Sequence, residues 1–165
     1  IFIMTNIEKA LSVASLAHAN QTYGIYPYMY HLNSVLEVAR EFFEDEDILV
    51  SCVLHDILED TNLSYNDIKD NFGINVAEIV YGVTDELGRN RNERKSKTYP
   101  KIKSDMRFLS VKLCDRIANV LHSKKYNSRL YKLYKKEHES FKKELYISNE
   151  VLEPLWDKLD KLLVL

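Results

Sequence analysis

The sequence predicts an all-α protein, and three observations carry that prediction. Glycine and proline are scarce, at 4 and 3 residues in a chain of 165. No segment shows the strict apolar–polar alternation of a half-buried strand. Helix-start patterns and helically spaced apolar residues recur from end to end. The length suits one domain with a sizeable core and is short for two. The apolar fraction of 45% and charged fraction of 29% are ordinary for a globular chain. A net charge of −2 weighs against a nucleic-acid polymer as partner, since such binders are usually visibly basic. No apolar run has the length of a membrane span and no leader pattern opens the chain, so a cytoplasmic protein without a membrane partner is expected. Met4 is the expected natural start, preceded by a short extension. Cys52 and Cys114 stand apart in apolar surroundings and read as buried free thiols of a reducing compartment.

The elements follow in order. Thr5 and Glu8 form a capping-box pattern for a first helix with Ile7, Ala10, Leu11, Ala14 and Ala17 on one face. Residues 22–30, with Gly24, Pro27 and several tyrosines, read as a loop. His31 opens a second helix carrying Leu32, Val35, Leu36, Ala39 and Phe43. The acidic turn Glu44-Asp45-Glu46-Asp47 favours the N-terminus of the next helix. Ser64 and Asp67 cap a short helix that Gly73 ends, and Val76, Ile79, Val80 and Val83 mark another, finishing near Leu87-Gly88. Residues 89–103 hold seven cations against the single acid Glu93 and read as a loop or short helix. Ser104 caps a long apolar helix through Leu121. Two more helices follow, the last from about Ser148 with a bend expected at Pro154.

The most informative stretch is Val53-Leu54-His55-Asp56-Ile57-Leu58-Glu59-Asp60. On one continuous helix, His55 stacks over Glu59 and Asp56 over Asp60, which puts an imidazole and three carboxylates on one arc. The surrounding residues are apolar nearly all round, as in a buried helix. Buried carboxylates are costly unless paired or bound to a cation. Asp115 lies in a second apolar run, Leu109-Ser110-Val111-Lys112-Leu113-Cys114-Asp115, with Asn119 on its face and His122 close by. His31 stands where the tyrosine loop meets an apolar helix. Two imidazoles and two carboxylates form a mixed N/O set suited to Mn, Fe, Co, Ni or Zn rather than Ca. Such a centre can activate water as a nucleophile. Among the other histidines, His18 reads as structural and His138, set among Lys and Glu, as solvated.

The order of these motifs resembles the HD-domain metal-dependent phosphohydrolases, within them the hydrolase module of the RelA/SpoT family, and most of all its small stand-alone Mesh-type alarmone hydrolases. The matching residues are Ala17-His18 with Gln21, Pro27-Tyr28 before His31, Leu54-His55-Asp56 with Glu59-Asp60-Thr61, Phe72-Gly73, Val83-Thr84-Asp85, Glu93-Arg94-Lys95, and Val111-Lys112-Leu113-Cys114-Asp115-Arg116 with Asn119. The resemblance implies one helical bundle over residues 1–165 with the metal site at its centre, a motif-bearing core at about 5–125 and C-terminal helices at about 129–165. It implies His31, His55, Asp56 and Asp115 as ligands of one divalent ion, usually manganese, and Glu59 and Asp60 as the pair acting on the attacking water. It further implies hydrolysis of the 3′-pyrophosphate of guanosine tetra- or pentaphosphate, a stringent-response nucleotide. The substrate contacts expected on this basis are Lys112, Asn119, Arg94 and Lys95, with His122 as a phosphate contact. The loop departs from the family in having no Lys or Arg at residues 22–26, and Ala118 replaces the usual His. Tyr23 and Tyr26 therefore either stack on the base or simply pack the loop, and an adenine nucleotide stays open as substrate. The alternatives are another nucleotide such as NADPH, or a non-catalytic nucleotide-binding module. The oligomeric state is not expressed in the sequence.

Overall fold

The computed structural model describes residues 3–164; Ile1 and Phe2, part of the extension expected before Met4, lie outside the described residues. Helix α1 (Asn6–Ala17) starts with the expected box: Thr5 Oγ1 accepts the Glu8 N–H and the Glu8 carboxylate accepts the Thr5 N–H. The expected loop that follows contains a small antiparallel hairpin, β1 (Thr22–Tyr23) and β2 (Tyr26–Pro27), with Tyr23 opposite Tyr26. Its two-residue turn is made possible by Gly24 at φ +60°, the glycine-first arrangement that matches strand twist. Strands this short show no alternation to read. Helix α2 (Tyr28–Phe42) begins directly after Pro27, so His31 lies one turn inside the helix rather than at its start.

Helix α3 (Glu46–Leu54) is capped by Asp45, whose carboxylate accepts the N–H groups of Asp47 and Ile48. Every residue from 48 to 54 is buried. The continuous helix expected through Asp60 is broken: His55 and Asp56 form a turn, Asp56 sits at φ −100°, ψ 0°, and α4 (Ile57–Asp60) resumes afterwards. Helix α5 (Tyr65–Phe72) carries the Ser64–Asp67 box and ends at Gly73, φ +92°. Helix α6 (Ile74–Val83) stops before the expected Leu87-Gly88, because Thr84 turns extended and its hydroxyl donates to the Val80 carbonyl. Residues 91–103 settle as helix α7 (Arg91–Lys103), with Asn90 as cap.

Helix α8 (Met106–Tyr126) is capped by Asp105 rather than Ser104, whose hydroxyl donates instead to the Lys101 carbonyl, and it runs past Leu121. Helices α9 (Ser128–Leu145) and α10 (Glu153–Leu163) complete the fold. Pro154 lies in the first turn of α10, where a missing N–H costs nothing, so it starts the helix without bending it. Helix α8 packs on α2, α3, α6, α7, α9 and α10, and α3 packs on α1, α2, α6 and α8. That encirclement explains why α3 is apolar nearly all round and why most of α8 from Phe108 to Val120 is buried. Helices α6 and α8 approach so closely that a Cβ at Gly82 would lie 2.4 Å from the Phe108 ring. Among the described residues no helix is long and apolar enough to cross a membrane. Cys52 and Cys114 are buried and free.

Candidate metal centre

Three elements deliver four donors to one point. Helix α2 brings His31, the turn between α3 and α4 brings His55 and Asp56, and α8 brings Asp115. His31 Nε2 lies 3.0 Å from Asp115 Oδ1; His55 Nε2 lies 2.9 Å from Asp56 Oδ2 and 3.3 Å from Asp115 Oδ1. The ligand atoms of His31, His55 and Asp56 all fall within 4.8 Å of one another. His55 Nδ1–H donates to the Cys52 carbonyl at 2.7 Å, which fixes the tautomer and turns the Nε2 lone pair inward. That buried Nε2 has no properly directed hydrogen bond although two carboxylate oxygens stand beside it. Donors that face one another without a hydrogen bond between them fit a shared cation.

The electrostatics agree. Burial opposes charge on His55, but Asp56 and Asp115 outweigh it and raise its pKa well above the usual range. Burial likewise works against the Asp115 carboxylate, while His55, His31 and Lys112 hold its pKa well below normal. Asp56 is lowered in the same way, burial being outweighed by His55, with the Tyr28 hydroxyl also donating to its Oδ2. A divalent ion concentrates in one atom the positive charge that these carboxylates demand.

The centre opens into a cavity of about 240 Å³ lined by Tyr23, Tyr28, Glu59, Asp85, Lys112 and Asn119 beside the four donors. Glu59 Oε1 accepts the Asp85 N–H at 2.5 Å, and burial pushes its pKa up to about 7. The other expected carboxylate, Asp60, is outside this lining: Gln21 Nε2 donates to it at 2.9 Å, and Gln21 is itself held by His18 Nδ1 at 2.7 Å. Glu59 and Asp60 are neighbours on α4, so their side chains point about 100° apart, and only Glu59 faces the cavity. Lys112 is 3.7 Å from Asp115 Oδ2; burial works against its charge, and Asp115 together with Tyr99 and Asp85 outweighs this and raises its pKa.

The remaining expected contacts lie beyond this cavity. Tyr26 stacks on Tyr30, with centroids 4.2 Å apart, and His122 Nδ1 lies 3.2 Å from the Tyr30 hydroxyl. Lys95 pairs with Glu137 at 3.2 Å on a different face, and Arg94 lies against Gly88. His138, read as solvated, is only 15% exposed and donates to Asp160 at 2.7 Å, fastening α9 to α10. Two residues in the site carried no assigned role in the sequence reading. Tyr28 and Asp85 belong to matched motifs, and only the fold shows that one holds Asp56 and the other holds Glu59.

A bundle of helices around a His/Asp donor set defines a metal-centre protein of the helical type. More particularly, the chain belongs to the HD-domain family, whose model, described as HD domain, matches residues 10–141. It is 36% identical over 121 residues to a guanosine-3′,5′-bis(diphosphate) 3′-pyrophosphohydrolase of Aquifex aeolicus (strain VF5), across 69% of this chain and 17% of that protein. It is 33% identical over 97 residues to guanosine-3′,5′-bis(diphosphate) 3′-pyrophosphohydrolase MESH1 of Drosophila melanogaster, across 57% of this chain and 54% of that one. The chain thus spans about a sixth of the length of the bacterial relatives it matches. A solved structure described as a metazoan ortholog of SpoT that hydrolyzes ppGpp shares the fold, with a TM-score of 0.78, 23% identity and coverage of 98% of this chain and 97% of that one.

Proposed function

We propose that the chain is a cytoplasmic, manganese-dependent hydrolase that removes the 3′-pyrophosphate of an alarmone nucleotide. The observation that carries this reading is the convergence of His31, His55, Asp56 and Asp115 beside a buried carboxylate, Glu59, poised near neutrality. The names of the relatives support the substrate class. The four donors would hold the cation, which supplies Lewis-acid polarisation of a phosphoryl oxygen and a lowered pKa for water.

The chain's own groups do the rest. In the hydrolysis, water attacks the phosphorus attached to the ribose 3′ oxygen, the P–O bond breaks, pyrophosphate leaves with the new oxygen, and the 3′ oxygen regains a proton. Glu59 uses Oε1 to hold the Asp85 N–H, which leaves Oε2 to take the proton of the attacking water. Asp60, tied to Gln21, supports that role from behind. Lys112, the only Lys or Arg among the described residues lining the cavity, would meet a phosphate oxygen, and Asn119 and Tyr23 would meet the sugar side. Tyr26, Arg94, Lys95 and His122 would reach only groups distant from the scissile bond. Residues 5–125 would carry the chemistry, with 129–165 as buttress.

The test is release of pyrophosphate from guanosine and adenosine 3′-pyrophosphates, and of orthophosphate from NADPH, with manganese supplied. Turnover of either alarmone is the expected result. Turnover of NADPH alone would reassign the substrate, and binding without turnover of any of them would make the chain a binding module.

A further inference from the structure

Tyr23 has neighbours unlike those of an ordinary loop tyrosine. Its ring lies flat on the His31 imidazole, with centroids 4.7 Å apart and planes 14° from parallel, and His122 abuts it edgewise at 4.9 Å. Its hydroxyl donates to Asn119 Oδ1 at 2.6 Å, and Asn119 Nδ2 donates to Asp115 Oδ1 at 3.0 Å. The direction of this chain is forced. An ionised carboxylate only accepts, so the Asn119 amide must present its NH₂ to Asp115 and its oxygen to Tyr23, which must then be the donor. The same Asp115 Oδ1 lies 3.0 Å from His31 Nε2 and 3.3 Å from His55 Nε2.

The face and the hydroxyl of Tyr23 therefore end, respectively, on a donor from α2 and, through one residue, on a donor from α8. We propose that Tyr23 is a positioning residue of the metal centre, through which the β1–β2 hairpin sets the orientation of His31 and Asp115. This rests on the reading that the four donors hold a cation. A ligand hydroxyl that takes the place of the tyrosine hydroxyl on Asn119 Oδ1 would loosen the hold on Asp115. Ligand binding and cation affinity are coupled through one side chain.

The experiment is a calorimetric titration of manganese into chelator-stripped protein, for wild type, Tyr23→Phe, Asn119→Ala and the double variant. Tyr23→Phe keeps the stacked ring and deletes only the donor, so the fold is retained. Groups bonded directly to a metal ligand typically affect affinity by roughly 10–100-fold, which sets the expectation for Asn119→Ala. Tyr23→Phe, one step further out, is expected to weaken binding by about threefold to tenfold. The double variant should bind no more weakly than Asn119→Ala alone, because the hydroxyl acts only through the amide. Wild-type affinity in Tyr23→Phe, or its full loss repeated in the Asn119→Ala background, overturns the proposal while leaving the metal centre intact. Absence of manganese binding by the wild type overturns both.

Discussion

Asp115 and Arg116 are neighbours on α8, yet they belong to charged clusters of opposite character. Asp115 joins two imidazoles and a second carboxylate whose lone pairs face one another across a cavity. Arg116 joins Arg91 and Lys95 around the single carboxylate of Glu137, at 3.1–3.2 Å, with its guanidinium over the rings of Tyr134 and Phe141 at 4.3 and 4.4 Å. The three cations of the second cluster share a single counter-charge, Glu137, that the fold itself supplies. The first has two carboxylates and two imidazoles and, among the described residues, no Lys or Arg seated between them, Lys112 standing off at 3.7 Å. Density of charge alone does not mark a functional centre; acceptors converging without a donor do.

Removing the cation should have the largest effect on this contrast. Chelation is expected to abolish turnover, with added manganese restoring it. Asp115→Ala is expected to lose more manganese affinity than the roughly 10–100-fold typical of outer groups. Calorimetry decides it, and near-normal affinity would strike Asp115 from the donor set. Next comes Glu59→Gln, which should lower kcat by about 100- to 10,000-fold with metal still bound, the usual scale of base assistance. Asp60→Asn, whose carboxylate is turned toward Gln21, should cost less; the reverse order would exchange their roles.

Glu137→Gln tests the other cluster. Leaving the buried Arg116 beside two further cations without a full counter-charge should destabilise the fold by about 3–5 kcal/mol in urea unfolding. Manganese affinity should not move, and a tenfold change there would show that the clusters act as one. The gentlest probe is pH. Burial raises the Glu59 pKa to about 7, so its base form is lost on acidification. kcat/KM should therefore rise with pH along a limb at or below about 7, since a nearby cation favours the carboxylate. A profile unchanged in Glu59→Gln would assign that limb to another group.

The helical class, the Thr5 and Ser64 caps and the four converging donors were legible because each is written locally, as spacing or as a polar residue in an apolar run. The hairpin was not, since four residues carry no period. The break at His55-Asp56 was hidden because the apolar pattern runs straight through it. The different fates of Glu59 and Asp60 depend on Gln21 and Asp85 arriving from distant parts of the chain. Tyr23 and Tyr26 were recognised as a pair, but their separate partners, His31 and Tyr30, are set by the hairpin register.

The interruption after Leu54 also bears on why two adjacent residues can serve one ion. Successive side chains on an α-helix point about 100° apart, so neighbours diverge. At Asp56 the backbone leaves helical geometry, φ −100° and ψ 0°, and the two side chains swing together until His55 Nε2 and Asp56 Oδ2 are 2.9 Å apart. The result is a two-toothed claw whose span is set by a single peptide unit, with no loop to close and little freedom left to lose on capture. A substitution that straightened this turn into helix would keep every ligand in the sequence and still open the claw.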